Sequence, residues 1–278
     1  MNETMRLSDV PVVKVERIST GFEYLDKAYG MTVLTGRGSR IVDRIFGLPL
    51  GGVSLWAGSP GVGKTRVCIA VAGKMNANGY RVFYIQNEVD PEQFRTWTAD
   101  KVVYPNDFYI HTTRDLAKQV SAIHKCDPHL VVLDSLNMLP RYQSPDMIRA
   151  ISEEYKRVAR DLHCHIILIG HLNKQGTVKG NNDVEYLIDV QCNMYRADSI
   201  ASKIDKVNCE QQGIELSGMF ILEFIKNRYG ATASGGCENY VAFRHVGGGI
   251  ECVTSNFASE LDDIPFSRPK RKKKWRWF

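Results

Sequence analysis

Gly58-Ser59-Pro60-Gly61-Val62-Gly63-Lys64-Thr65 decides the reading of this chain. It completes the pattern G-x-x-x-x-G-K-[ST]. The apolar run Val53-Ser54-Leu55-Trp56-Ala57 precedes it, and the helix-forming run Thr65-Arg66-Val67-Cys68-Ile69-Ala70-Val71-Ala72 follows. Strand, glycine-rich turn and helix form the setting in which this pattern cradles phosphate. Gly58, Gly61 and Gly63 let successive backbone N–H groups turn toward phosphate oxygens. A helix expected to begin near Lys64 adds the positive end of its dipole. Lys64 brings a charge to the β- and γ-phosphates, and the Thr65 hydroxyl can ligand Mg²⁺. The expected ligands are therefore ATP and Mg²⁺. The expected nucleotide contacts are Gly58, Ser59, Pro60, Gly61, Val62, Gly63, Lys64, Thr65 and Arg66. A chance glycine-rich turn is the bland alternative, and the flanking strand and helix argue against it.

Strand-like and helix-like segments alternate after residue 50. That pattern predicts an α/β fold with a central, mainly parallel sheet flanked by helices. Arg81–Ile85, Phe108–His111, His129–Leu133 and His165–Gly170 read as strands. Asp90 and Pro91 read as the cap and first position of a helix. Thr113–Ile123 and Pro145–Leu162 read as helices. From about residue 187 the pattern predicts antiparallel strands over Asp189–Tyr195, Gly218–Asn227 and Asn239–His245. The expected organisation is an N-terminal segment over 1–50, an ATPase core over 51–258 and a tail over 259–278. Thr20–Gly30 weakly echoes Thr35-Gly36 with Ile41–Gly47, which suggests a short duplication or insertion.

A phosphate loop needs a second carboxylate for the metal and a group that positions water. Leu130-Val131-Val132-Leu133-Asp134 is an apolar strand ending in an acid, at the sheet edge where ligands bind. Asp134 is thus expected beside the metal with Thr65; capping the next turn is the alternative. Glu88 follows the strand Arg81–Ile85 and would emerge on the same edge, able to polarise a water. A plain surface glutamate is its alternative. His171 and Asn173 end the strand Ile166–Ile169 and could sense the γ-phosphate, although a histidine there is often only a hydrogen-bonded residue. The polar stretch 174–182 carries Lys174 and Lys179 and suits contact with a nucleic-acid backbone, or is a plain surface loop. In Phe224-Ile225-Lys226-Asn227-Arg228-Tyr229-Gly230 an apolar strand ends in two cations. Lys226 and Arg228 could reach the γ-phosphate held by a neighbouring subunit, or be surface charges.

The chain has 278 residues and a formal net charge of +5. Residues 268–278 hold seven basic and no acidic residues; without them 29 basic residues stand against 31 acidic ones. In that tail Lys270, Arg271, Lys272, Lys273 and Lys274 can neutralise phosphate, and Trp275 and Trp277 can stack on bases. A docking peptide for a partner protein, and a nuclear-targeting-like run or solubility tail, are the other readings. No apolar run approaches a membrane span, and Met1–Arg6 has no apolar core behind it. Seven scattered cysteines without a C-x-x-C pair fit a reducing cytoplasm better than a disulfide or zinc framework.

The chain resembles the ATPase core of the bacterial RadA/Sms family within the RecA/DnaB superfamily. The matching residues are Ile18-Ser19-Thr20-Gly21 with Leu25-Asp26, the phosphate loop, and Gly170-His171 with Lys174 and Gly176. Lys226-Asn227-Arg228-Tyr229-Gly230 also matches, and is close to that family's K-N-R-F-G signature. The resemblance covers about residues 17–250. It implies a RecA-like fold, ATP hydrolysis at interfaces of a homo-oligomeric ring or filament, and single-stranded DNA binding in recombination. It also implies trans action for Lys226 and Arg228. RadA/Sms proteins carry a four-cysteine zinc module and a protease-like domain, for which this chain has no residues, and Asn173 and Gln175 stand where Thr and Glu are usual. A core-only chain resembles the compact RecA-like recombinases of bacteriophages. A DnaB-like helicase motor and a KaiC-like regulatory ATPase share the fold and stay open.

Overall fold

The computed structural model describes residues 6, 9, 15–33, 43–99, 107–139, 145–172, 187–200, 215–230, 240–247 and 249–255. Its strands are β1 Arg17–Ile18, β2 Met31–Val33, β3 Asp43–Ile45, β4 Leu48–Pro49, β5 Val53–Gly58, β6 Val82–Gln86, β7 Phe108–His111, β8 Leu130–Asp134, β9 His165–His171, β10 Val190–Arg196, β11 Met219–Asn227, β12 Tyr240–Val246 and β13 Gly249–Ser255. Its helices are α1 Glu23–Tyr29, α2 Lys64–Ala77, α3 Pro91–Thr98, α4 Leu116–Cys126, α5 Pro145–Asp161 and α6 Ala197–Ile200.

Nine strands form one sheet in the order β13-β12-β11-β10-β5-β9-β8-β6-β7. The run from β10 to β7 is parallel throughout. The strands β10 to β13 pair antiparallel in succession. The α/β expectation holds, with two corrections. The pattern over Asp189–Tyr195 predicts an antiparallel strand, yet β10 lies parallel to β5 and only its other edge is antiparallel, to β11. Helix α4 starts at Leu116 rather than Thr113, because the Asp115 side chain caps it by accepting the Lys118 N–H at 3.0 Å.

The central strands read as continuous apolar runs because both faces are covered. Along β5, Val53, Leu55 and Ala57 join a core with Ile123 of α4 and Tyr155 and Val158 of α5. Trp56 points into the other core, with Val67 and Val71 of α2, Leu25 of α1, and Phe224 and Phe243. Each fully buried side chain of this size contributes roughly 1.5–3 kcal/mol. Residues before 50 enter the same core. Tyr29 of α1 is fully buried, donates to Ser54 Oγ at 3.0 Å and accepts from Trp56 Nε1 at 2.9 Å. The echo seen in the sequence is not repeated in structure: Glu23–Tyr29 is a helix, whereas Asp43–Ile45 is a strand paired with β2. Among the described residues no helix is long and apolar enough to cross a membrane.

Candidate functional site

Strand β5 ends at Gly58, and α2 begins at Lys64. Between them the loop closes through Gly63, whose φ of 106° is left-handed and open to glycine at no steric cost. A Cβ there would also sit 3.0 Å from the Phe220 ring. The Lys64 ammonium is folded back on the loop, donating to the carbonyls of Gly58 and Ser59 at 2.9 Å each. Burial lowers its pKa, opposed by the nearby Asp134 and Glu88 carboxylates.

Register places the acids beside this loop. Gly58 pairs with His171, and Gln86 pairs with Asp134, all at the carboxyl edge of the parallel strands. Asp134 is 2% exposed, and burial pushes its pKa up to about 6. The hydroxyls of Thr65 and Tyr84 donate to it and hold the shift down, Tyr84 at 3.0 Å. Glu88 stands more in solvent, and Ser135 Oγ donates to its Oε1 at 2.9 Å. His171 Nε2 lies 3.9 Å from the same oxygen. That is beyond hydrogen-bond length, so the contact becomes an ion pair when the ring is protonated. His171 and the Ser135 hydroxyl together keep Glu88 below its usual pKa despite partial burial. Asn137 Oδ1 accepts the His171 backbone N–H at 3.0 Å and fixes the strand tip.

Lys64, Thr65, Glu88, Asp134 and His171 line one groove of about 1110 Å³, ample for a nucleotide. Its other flank carries Arg66, which meets His245 Nε2 at 3.1 Å. The donor set fits a magnesium–nucleotide complex. One buried carboxyl with a raised pKa and one hydroxyl stand beside a loop built for phosphate. Among the described residues no cluster of three or more His, Cys, Asp or Glu side chains could hold a metal alone. A hard cation here would take its remaining ligands from phosphate and water, as Mg²⁺ does.

Lys226 and Arg228 are elsewhere. Lys226 pairs with Gln191, which pairs with Leu55, three residues before Gly58. Within one protomer Lys226 stands roughly 10 Å back along the strand and Arg228, level with Val53, roughly 16 Å back, both two strand spacings of about 4.8 Å aside. Lys226 Nζ donates to the Ile188 carbonyl at 2.7 Å, and Arg228 donates to Asp189 Oδ1 at 3.0 Å. The rest of the motif packs on the N-terminal segment. Asn227 donates to the Ala28 carbonyl at 3.1 Å and Arg17 to the Tyr229 carbonyl at 3.1 Å. Gly230 lies so close to the Gly30 carbonyl that a Cβ would collide with its oxygen.

The family described as AAA domain matches residues 33–177, more than half of the chain. The chain belongs to that family. This AAA-family chain is 28% identical over 240 residues to the DNA repair protein RadA of Mycolicibacterium smegmatis, across 82% of this chain and 47% of that protein. It is 24% identical over 261 residues to RadA of Aquifex aeolicus, across 91% of this chain and 50% of that one. The chain thus spans about half the length of the curated relatives it matches. A solved ATPase domain of another protein superposes with a TM-score of 0.56 at 16% identity, covering 73% of this chain and 85% of that one. That is a likeness of fold. The RecA-like fold and the RadA resemblance expected from the motifs are borne out.

Of the residues singled out in the sequence of this AAA-family chain, the loop residues 58–66, Glu88, Asp134 and His171 meet at one edge. Lys226 and Arg228 meet at the other. Asn173, Lys174, Lys179 and the tail residues Lys270–Lys274, Trp275 and Trp277 lie outside the described residues. Tyr84, Ser135, Asn137 and Asp189 carry no motif that marks them in the sequence. Ser135 and Asn137 closely follow Asp134, so proximity to the acid was their one signal. Asp189 had no such signal.

Proposed function

We propose that this chain is an ATPase that works on single-stranded DNA in recombination or repair, as an assembly of identical copies with ATP held between them. The observation that carries this reading is the convergence of Lys64, Thr65, Asp134, Glu88 and His171 on one groove at the carboxyl edge of the sheet. The relatives named as DNA repair proteins point to DNA as the polymer.

Lys64 exchanges its two carbonyl partners for β- and γ-phosphate oxygens, a charge-assisted trade that the buried setting strengthens. Thr65 and Asp134 would hold Mg²⁺, which when bound neutralises charge on the phosphates. Glu88, kept ionised by its neighbours, accepts a hydrogen bond from the attacking water and orients it. Ser135 holds the carboxylate on that side of the groove. His171 sits between Glu88 and Gly58, where a γ-phosphate oxygen would draw its ring. Lys226 and Arg228 stabilise charge on the phosphates of a neighbouring copy, since their own phosphate loop is out of reach. Lys174, Lys179 and the tail 268–278 supply contacts to the DNA backbone, with Trp275 and Trp277 stacking on bases.

The test is ATP turnover with and without single-stranded DNA, read alongside particle size. We expect turnover to rise with DNA and to require assembly. Turnover indifferent to DNA would remove the DNA part of the reading. Displacement of a strand from a duplex would replace recombination with unwinding.

A further inference from the structure

At the sheet edge away from the phosphate loop, one carboxylate gathers the charged groups. Asp189 directly precedes β10 and is 4% exposed. Its Oδ1 accepts from the Lys156 ammonium of α5 at 3.0 Å and from the Arg228 guanidinium at 3.0 Å. Its Oδ2 accepts the Val53 N–H at 3.1 Å. Its backbone carbonyl accepts the Arg228 N–H at 3.1 Å, and its own N–H donates to the Val53 carbonyl at 2.9 Å. The residue before it, Ile188, accepts Lys226 Nζ at 2.7 Å. Asp189 is therefore anchored to the first residue of β5, the strand that carries the phosphate loop at its far end. Both cations of the Lys226–Gly230 motif are anchored to Asp189 or to its neighbour.

Stability does not explain this arrangement. Taking a carboxylate out of water costs more than one shared contact per cation readily returns, and apolar packing would serve the core as well. What the arrangement does supply is fixed geometry. Both carboxylate oxygens have donors, and Arg228 is held by side chain and backbone together while its side chain stays 47% exposed. We propose that Asp189 is a positioning residue: it fixes Arg228, and through the Ile188 carbonyl Lys226, so that both meet the phosphates of a neighbouring copy already oriented. Donors held in place before the reaction need no reordering when charge develops. The inference rests on the trans role assigned above to the two cations.

The experiment measures ATP turnover and nucleotide affinity of the full chain, under conditions where assembly is verified, for Arg228→Ala, Asp189→Asn, Lys156→Gln and the Asp189→Asn/Arg228→Ala double variant. We expect Asp189→Asn to lower kcat about 10²-fold, the scale of an angstrom's misplacement, with nucleotide affinity within about twofold of the parent. Lys156→Gln breaks the same buried network without releasing Arg228, and its kcat should stay within about threefold. Adding Asp189→Asn to Arg228→Ala should cost far less than it does in the parent, because only Lys226 is then left to position. Wild-type turnover in Asp189→Asn overturns the proposal. So does an equal further loss in the Arg228→Ala background, or a loss in Lys156→Gln as large as in Asp189→Asn, since each marks a purely structural role. Normal turnover in Arg228→Ala itself overturns the trans role and the inference with it. Should Asp189→Asn not fold, Asp189→Asn/Lys156→Gln sets amide against amide and carries the same expectation.

Discussion

At the carboxyl edge of the sheet, the Lys64 ammonium faces two carboxylates, Asp134 and Glu88. At the opposite edge the proportion is reversed among the described residues, with Lys156, Lys226 and Arg228 gathered at Asp189 and its neighbour Ile188. Immediately around Lys64 the carboxylates predominate, with Arg66 on the groove's other flank, and around Asp189 the cations do. Burial sharpens the contrast, because Asp134 and Asp189 are both nearly closed to water. The acidic edge suits a divalent cation arriving with phosphates. Once occupied by them, it presents phosphate oxygens of the kind the basic edge of another copy would meet. In the trans arrangement proposed above, the two edges, too far apart to meet within one protomer, meet between protomers.

The largest effect is expected at the basic edge. Lys226→Ala should bind ATP nearly as the parent does yet turn it over about 10³-fold more slowly. Mixing it with Lys64→Ala, which should not bind ATP tightly, should restore part of the activity, because each protein supplies the half the other lacks. Phosphate release from mixed assemblies reads this; no recovery in assemblies that demonstrably form counts against a shared site.

At the acidic edge, Glu88→Gln should keep nucleotide affinity and lose about 10²–10⁴ in turnover, since Glu88 acts on water and not on the phosphates. Equal loss of affinity in Lys64→Ala and Glu88→Gln, measured with a fluorescent nucleotide, would refute that division of labour.

The smallest effect separates charge from packing. Asp134 has a folded pKa of about 6, above its ordinary 3.8. The folded protein thus holds this proton more tightly than the unfolded chain does. Ionisation therefore destabilises the nucleotide-free fold, and stability is lost as pH rises from about 4 through about 6. Asp134→Asn should raise unfolding free energy at pH 7 by roughly 3 kcal/mol, with the gain fading toward pH 4. Denaturant melts at both pH values check it, and a destabilised variant at pH 7 would mean that the Thr65 and Tyr84 hydrogen bonds outweigh the buried charge.

The two edges also differ in how openly the sequence displays them. The acidic edge is nearly complete in short stretches: a glycine-rich turn before a helix, and two strands running into Glu88 and Asp134. Ser135 and Asn137 escape notice there because a single hydroxyl or amide after an acid carries no pattern. At the basic edge the Lys226–Gly230 motif is visible, but its partners are not. Strand β10 reads as one more member of the antiparallel set. Its residues alternate no differently whether the neighbour runs with or against it, and one strand here does both.

The phosphate loop, the α/β alternation and the acids at the strand ends are legible in the bare chain. They depend on glycine backbone freedom, apolar periodicity and residues within a few positions of each other. Folding in three dimensions was needed to reveal that Asp189 joins Val53, 136 residues away, to Lys156, 33 residues away, and to Arg228, 39 residues away. The same holds for the placement of Lys226 and Arg228 at the edge away from their own phosphate loop. Strand order and register set these relations, and they follow from how the whole sheet buries its two faces rather than from any local run of residues.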